Sequence, residues 1–251
     1  ITTIQDSAFY GCSVLKKLEI PDSVTSMGKG TMEACIALTD VKLPSTLNTL
    51  PTSTFYGCTA LETVSFPEAM NTIGSEAFYQ CTALKDVDLS QIATIETYAF
   101  EGCSALTDIT IPETCTTLGD FVFDGCSALK EIQVADSNPN YHIDGVLFSK
   151  DGSTLIKYPD DSDLVDYVVP DGCTRLEDWS FTGAKSLKSI DIQNIQELGE
   201  DVFFYCQSLT DITIPDSITE IPNNTFTYCT ELTSITLPKQ LTSIGDFAFY
   251  T

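Results

Sequence analysis

The feature that most constrains this chain is a repeat of 23 residues marked by cysteine. Successive spacings are 23, 23, 23, 22 and 23 residues along the series Cys12, Cys35, Cys58, Cys81, Cys103 and Cys126. Cys206 and Cys229 repeat the 23-residue spacing near the end of the chain. A fixed period of this length is typical of solenoids, in which no repeat can bury its apolar face alone. The sequence therefore predicts an array of stacked rungs.

Alignment on the cysteines brings other residues into columns. The residue three positions before the cysteine is Phe9, Met32, Phe55, Phe78, Phe100, Phe123, Phe203 or Phe226. An apolar pair separated by one residue follows, as in Leu18 and Ile20, and Pro21 comes next. The pair predicts one short strand per rung, which proline ends because it has no N–H to donate. The Ala-Phe-Tyr-Gly-Cys segment predicts a short helical turn opposite the strand, ended by glycine. The sequence therefore predicts an α/β repeat.

Charge and composition exclude several functions. The chain has 36 acidic residues against 12 Lys and Arg, a net charge of −24, so nucleic acid and anionic membranes are not expected partners. His142 is the only histidine, which excludes a Ser-His-Asp relay elsewhere and a His-rich zinc site. No apolar run is long enough for a membrane span, and Ile1–Phe9 lacks the features of a secretion signal. We expect no enzyme activity, no metal and no cofactor.

The repeat resembles the BspA-like leucine-rich repeat family. The residues that carry the resemblance are Ala8, Phe9, Cys12, Leu15, Leu18, Ile20, Pro21, Val24, Met27 and Gly28, with their periodic copies. The resemblance implies a curved, right-handed leucine-rich-repeat solenoid on secreted or cell-surface proteins. It also implies adhesion or protein binding rather than catalysis, and it offers no active-site residues.

An insertion interrupts the repeat. We predict a single solenoid over residues 1–251, with an atypical repeat at about 135–169 that rejoins the array at Leu164–Pro170. Two apolar runs, Val146–Phe148 and Leu155–Tyr158, flank Ser149–Ser153, and the Asp-Gly step between them predicts a β-hairpin. Two interpretations are open. In the decorated-rung interpretation, the hairpin is an enlarged repeat that continues the sheet. In the other, the hairpin protrudes from the solenoid and contacts a partner. Because the chain begins and ends within a repeat, we expect it to be a piece of a longer protein.

The outward strand positions are the candidate protein-binding surface, since the sheet face is the usual binding surface of a solenoid. They are Glu19, Lys42, Ser65, Asp88, Thr110, Gln133, Val168, Asp191, Thr213 and Thr236, with Lys150 and Asp151 added from the hairpin. A second row of outward residues follows the phenylalanine column and is aromatic. These side chains either cover the edge of the solenoid or form an exposed aromatic surface that binds a partner. The row contains Tyr10, Tyr56, Tyr79, Phe204, Tyr205, Tyr228 and Tyr250.

Two further groups could be mistaken for metal sites. Identical rungs set the cysteine sulfurs in a line, so they cannot surround one metal, and packed free thiols are favoured over stacked disulfides. The acidic run formed by Asp160, Asp161, Asp163 and Asp166 lacks the spacing of a calcium loop and is interpreted as a solvated turn.

The function that fits best is a non-enzymatic extracellular or cell-surface scaffold that binds a protein. The expected partner is a host extracellular-matrix or cell-surface protein with a basic patch, and the chain is expected to be a monomer. The alternative is a structural spacer that holds another domain away from the cell surface. A carbohydrate-handling enzyme with two carboxylates is a third class, but no motif selects a pair.

Overall fold

The computed structural model describes residues 1–251, which form two compact units. Unit 1 comprises residues 1–129 and 133–139, and unit 2 comprises residues 130–132 and 140–251. Both units are built from the same rung, and together they contain about eleven turns of a parallel-strand solenoid. That the chain is a single continuous solenoid stays a prediction. No helix has the length and apolar composition of a membrane span.

Each rung of unit 1 contributes two short strands rather than the one predicted. The strands are β1 (Thr3–Ile4), β2 (Lys17–Glu19), β3 (Ser26–Met27), β4 (Asp40–Lys42), β5 (Thr49–Leu50), β6 (Thr63–Val64), β7 (Thr72–Ile73), β8 (Asp86–Val87), β9 (Thr94–Ile95), β10 (Asp108–Ile111) and β11 (Thr117–Leu118), and β12 (Glu131–Val134) crosses the sequence boundary of the units. Strands β2 and β4 pair in parallel, as do β6 and β8, on the sheet face. Strands β5, β7, β9 and β11 form a second parallel sheet from the second apolar pair of each rung.

Unit 2 repeats this plan and adds the insertion. Its strands are β13 (Tyr141–Ile143), β14 (Leu147–Ser149), β15 (Thr154–Lys157), β16 (Asp166–Val168), β17 (Arg175–Leu176), β18 (Ser189–Asp191), β19 (Glu197–Leu198), β20 (Asp211–Thr213), β21 (Glu220–Ile221), β22 (Ser234–Thr236) and β23 (Ser243–Ile244). Strands β16, β18, β20 and β22 form the sheet face. The predicted hairpin is present as antiparallel β14 and β15, and β15 continues in parallel with β17.

The predicted helical turn is absent, and that prediction was wrong. Ser53 and Gly57, on either side of Phe55, have φ angles of 54° and 68°, and the same two positions are left-handed in most rungs. A right-handed helix cannot contain such residues. The backbone bonds to the next rung instead: the N–H of Phe55 donates to the Ala77 carbonyl, and that of Gly57 to the Tyr79 carbonyl. This edge is a ladder of turns.

The phenylalanine column forms a stack of rings in the core of each unit. Phe78 is fully buried, and its ring centroid lies 5.3 Å from that of Phe55 and 5.2 Å from that of Phe100. Full burial of an aromatic side chain contributes about 2–3 kcal/mol, so this column is a major source of stability. The predicted inward position of the phenylalanines is thus confirmed.

The insertion rejoins the repeat at Tyr158, in the phenylalanine stack of unit 2, earlier than the predicted Leu164–Pro170. The Tyr158 ring is buried 5.0 Å from Phe181, where the repeat would place a phenylalanine. Its N–H donates to the Ser180 carbonyl, and its hydroxyl donates to the Leu164 carbonyl at 3.1 Å. The Leu-Ile-Lys-Tyr sequence is therefore part of a rung rather than of a protrusion.

The acidic run after Tyr158 is not a solvated turn throughout. Asp160 is buried, and its carboxylate lies 3.0 Å from the ammonium group of Lys157, which is also buried. Asp161, by contrast, is partly exposed and forms an ion pair with Lys185 at 3.4 Å. Because a buried charge requires a partner, the pair fixes the turn that follows the hairpin.

Candidate functional site

The predicted binding residues lie where the alternation of the strands predicts. Glu19, Lys42, Ser65, Asp88, Thr110, Gln133, Val168, Thr213 and Thr236 are exposed, and Asp191 is partly exposed. Parallel pairing without a register shift sets Glu19 beside Lys42 in unit 1. In unit 2 it sets Val168 beside Asp191, and Thr213 beside Thr236. The candidate residues thus form one outward row in each unit.

A second outward row on the same sheet was missed. It lies two residues earlier in each strand and includes Lys17, Asp40, Thr63, Asp86 and Asp108, all of which are exposed. Lys17 and Asp40 are paired between β2 and β4 and form an ion pair at 2.8 Å. The signal was available in the sequence, because a strand's period of two extends to the residue before its first apolar position.

The two rows meet in an acidic groove on unit 1. This groove has a volume of about 530 Å³, and its carboxylates come from Asp86, Asp88, Asp108 and Glu113. All four side chains are exposed, and no Lys or Arg is among the residues that line the groove. Asp88 and Thr110 are the predicted site residues that line it. The groove is a departure from a uniform surface among the predicted binding positions of unit 1.

Local hydrogen bonds hold three of these carboxylates. Asp88 accepts the Ser90 N–H at 2.9 Å, and this bond lowers the pKa of Asp88. Asp108 accepts the Thr107 hydroxyl at 2.8 Å, and Glu113 accepts the Ser137 hydroxyl at 2.7 Å. A carboxylate has about four acceptor positions, so each retains capacity for a ligand. A groove lined by four carboxylates and by no Lys or Arg suits the ammonium and guanidinium groups of a ligand.

The hairpin tip supplies the other two predicted residues, Lys150 and Asp151, and both are exposed. Asp151 accepts the N–H and hydroxyl of Ser153 and the hydroxyl of Ser149 at 2.7–3.0 Å. These bonds, chiefly the one from the Ser153 N–H, lower the pKa of Asp151 to about 2. Asp151 therefore shapes the turn.

Since β15 pairs with β17, the hairpin continues a sheet, as the decorated-rung interpretation predicts.

His142 has a structural environment in the same hairpin. Its Nδ1 lies 2.8 Å from the Ser149 carbonyl oxygen, and its ring stacks on Phe148 with 5.2 Å between centroids. This placement ties β13 to β14.

The comparison with protein families gives one match that extends over the whole chain. The profile described as "BspA type Leucine rich repeat region (6 copies)" matches residues 1–107, 86–161 and 157–251. A search of curated proteins finds no significant match.

Solved structures with the same architecture are bacterial. The pneumococcal vaccine antigen PcpA superposes with a TM-score of 0.84 at 25% identity over 98% of this chain; the match covers 64% of PcpA, so this chain spans less than two thirds of it. A leucine-rich cell surface protein of Faecalibacterium prausnitzii A2-165 gives a TM-score of 0.68 at 26% identity, covering 94% of this chain and 83% of that one. A leucine-rich repeat protein of Eubacterium ventriosum, at 19% identity, covers 94% and 82% with a TM-score of 0.69 and shows the fold alone.

Proposed function

Because the chain belongs to the BspA-type leucine-rich repeat family, we propose that it is a non-enzymatic scaffold that binds a protein partner on its sheet face. The observation that carries this proposal is the acidic groove of unit 1. Identical rungs give a uniform surface with little specificity. A cluster of carboxylates at Asp86, Asp88, Asp108 and Glu113 breaks that uniformity at one place.

The chemistry of the groove selects the partner. Four carboxylates without a cation favour a protein whose surface carries clustered Lys or Arg. The net charge of −24 adds long-range attraction, which speeds association and weakens as salt rises through the physiological range. The tip of the hairpin, with Lys150 and Asp151, is a second proposed contact in unit 2. Its turn is fixed before binding, which lowers the entropic cost of association.

The proposed location is extracellular or at the cell surface, and the proposed role is adhesion to host or neighbouring-cell proteins. Support comes from two similar structures, one described as a vaccine antigen and the other as a cell surface protein. Host extracellular-matrix proteins are therefore the first partners to test.

A charge-matched capture assay tests the proposal. The groove variant combines Asp86→Asn with Asp108→Asn, and the control combines Glu68→Gln with Glu231→Gln, which are exposed and outside the groove. Immobilised matrix proteins and whole host cells serve as bait. We expect the groove variant to lose most of its capture while the control keeps it, at unchanged melting temperatures. Capture that is equal in both variants and in the parent would show that the groove does not carry the binding, and no capture by the parent would favour the spacer function.

A further inference from the structure

A second patterned surface on unit 1 follows the phenylalanine column, away from the groove residues. Glu33, Tyr56, Tyr79 and Glu101 each stand one position after the column and succeed one another rung by rung. The residue after each of the first three donates its N–H to the carbonyl of the next member at 2.7 Å. The surface therefore shows, in spatial order, a carboxylate, two rings and a carboxylate.

The two rings of this column form a stack whose outer faces are turned toward rungs that carry a glutamate. Tyr56 and Tyr79 lie 4.6 Å apart at an interplanar angle of 12°. Since adjacent rungs are about 4.8 Å apart, the outer face of Tyr56 is turned toward the rung of Glu33, and that of Tyr79 toward the rung of Glu101. Burial, followed by the charge of Glu101, raises the pKa of Tyr79.

The neighbouring column repeats the arrangement. Glu76, Tyr98 and Phe121 each stand two positions before the phenylalanine column, in consecutive rungs. Tyr98 and Phe121 are stacked at 4.9 Å with an interplanar angle of 10°, and Tyr98 is 36% exposed. Glu76 precedes Tyr98 by one rung, so the open face of this stack is turned toward the rung of Glu76. The carboxylate of Glu76 accepts the Ser53 hydroxyl at 3.0 Å. We call the seven residues of both columns the aromatic–acidic strip.

Most of the rung segments that form the strip carry no positive charge. No Lys, Arg or His occurs in residues 52–58, 75–81, 97–103 or 120–126, and Lys29 is the one cation in the corresponding segment of the rung of Glu33, residues 29–35. Glu33, Glu76 and Glu101 take part in no ion pair. Burial, followed by the charges of Glu76, Glu33 and Glu101, raises the pKa of Tyr56. Because adjacent rungs are about 4.8 Å apart, each carboxylate is carried one rung away from a ring of the strip.

We propose that the aromatic–acidic strip binds Lys and Arg side chains of an extended basic segment in the protein partner. A cation over a tyrosine face gains from the ring quadrupole, and the adjacent carboxylate neutralises its charge. The inference rests on the proposed function, since it names a second contact surface and the chemistry of what binds there. Protein rather than nucleic acid is the occupant because every charged group of the strip is negative.

Ring removal without a change of charge tests the strip. The test variant combines Tyr79→Leu with Tyr98→Leu, and the matched control combines Tyr79→Phe with Tyr98→Phe, which keeps the rings. The probe is a short fluorescent peptide in which lysine alternates with glycine, and its acetylated form is the neutral control. We expect about fivefold weaker binding by the leucine variant, near-parental binding by the phenylalanine variant, and no binding of the acetylated peptide.

Other results would overturn the inference. Equal binding by the leucine variant and the parent, or the same loss in both double variants, would show that the ring faces do not contribute. If the groove variant Asp86→Asn with Asp108→Asn lost peptide binding to the same extent as the leucine variant, the peptide would be responding only to the net charge of the protein. The capture assay tests the groove independently of the strip. Failure of the strip proposal would leave protein capture intact, and loss of protein capture would leave peptide binding by the strip intact.

Discussion

The thiol of Cys81 donates a hydrogen bond to the backbone carbonyl of Phe55, one rung earlier, with 3.0 Å between sulfur and oxygen. The same bond joins Cys35 to Phe9, Cys58 to Met32, Cys103 to Phe78, Cys126 to Phe100, Cys206 to Phe181 and Cys229 to Phe203. Cysteine fits this column because it is a small apolar side chain that still offers a weak donor. The thiol therefore helps to tie each rung to its neighbour.

The thiols should react in a fixed order. Nine of the ten cysteines are buried, and burial raises the pKa of Cys81, Cys103 and Cys206 well above the usual value. Cys12 is partly exposed. During alkylation of the native protein followed by mass spectrometry, we expect Cys12 to react first and the buried thiols only after unfolding. Modification of Cys81 as fast as Cys12 would contradict this order.

Removal of a ring from the stack should be costly. Phe100→Ala leaves a cavity between Phe78 and Phe123 and should destabilise the protein by about 3–5 kcal/mol. The matched surface change, Thr110→Ala on an exposed strand position, should stay within about 0.5 kcal/mol. Urea unfolding of both variants gives the comparison. A smaller loss for Phe100→Ala than for Thr110→Ala would reverse the assignment of the inward and outward columns.

The buried ion pair of unit 2 should behave as a coupled unit. Lys157→Met alone leaves the Asp160 carboxylate buried beside an apolar side chain and should cost about 3–5 kcal/mol. Lys157→Met combined with Asp160→Leu removes both charges and should recover much of that loss. A double-mutant cycle by urea unfolding measures the coupling. Additive effects of the two changes would mean that the charges do not depend on each other.

Glu101 should make stability depend on pH near neutrality. Burial, then the charges of Asp124 and Glu76, raises the pKa of Glu101 to about 7 from an ordinary 4.5. The folded state therefore binds the Glu101 proton more tightly than the unfolded state does. The contribution of Glu101 to the free energy of unfolding is most favourable below about pH 4.5, and it declines as pH rises to about 7.

Glu101→Gln removes this dependence. We expect the variant to exceed the parent by on the order of 1 kcal/mol at pH 8, since the carboxyl is partly exposed and solvent screens it, and to match it near pH 4. Urea unfolding across this range, with Glu68→Gln as the exposed control, checks the sign. A variant that is less stable than the parent at pH 8 would contradict it.

The repeat made the core predictable because each inward column has one residue type and one period. Phe78, Cys81 and Leu84 are all fully buried, as the alignment requires. The backbone at the phenylalanine edge was not predictable from propensity. Tyr98 and Phe121 adopt φ angles of 61° and 59°, which bulky residues rarely do, because hydrogen bonds between rungs impose that conformation.

The candidate site was predictable in part. Asp88 and Thr110 were identified from the outward alternation, but the groove also depends on Asp86, Asp108 and Glu113. Glu113 lies after the strand, where the period of two no longer applies. Its contribution follows from the path of the turn after Pro112, which the sequence pattern does not specify.

Carboxyl footprinting with and without a captured partner tests the central claim most directly. A carbodiimide labels exposed Asp and Glu side chains, and mass spectrometry reports the extent at each residue. If the acidic groove binds the partner, then Asp86, Asp88, Asp108 and Glu113 should lose labelling in the complex, while Glu68 and Glu231 keep it. Unchanged labelling of the four groove carboxylates in a complex that forms would contradict the claim.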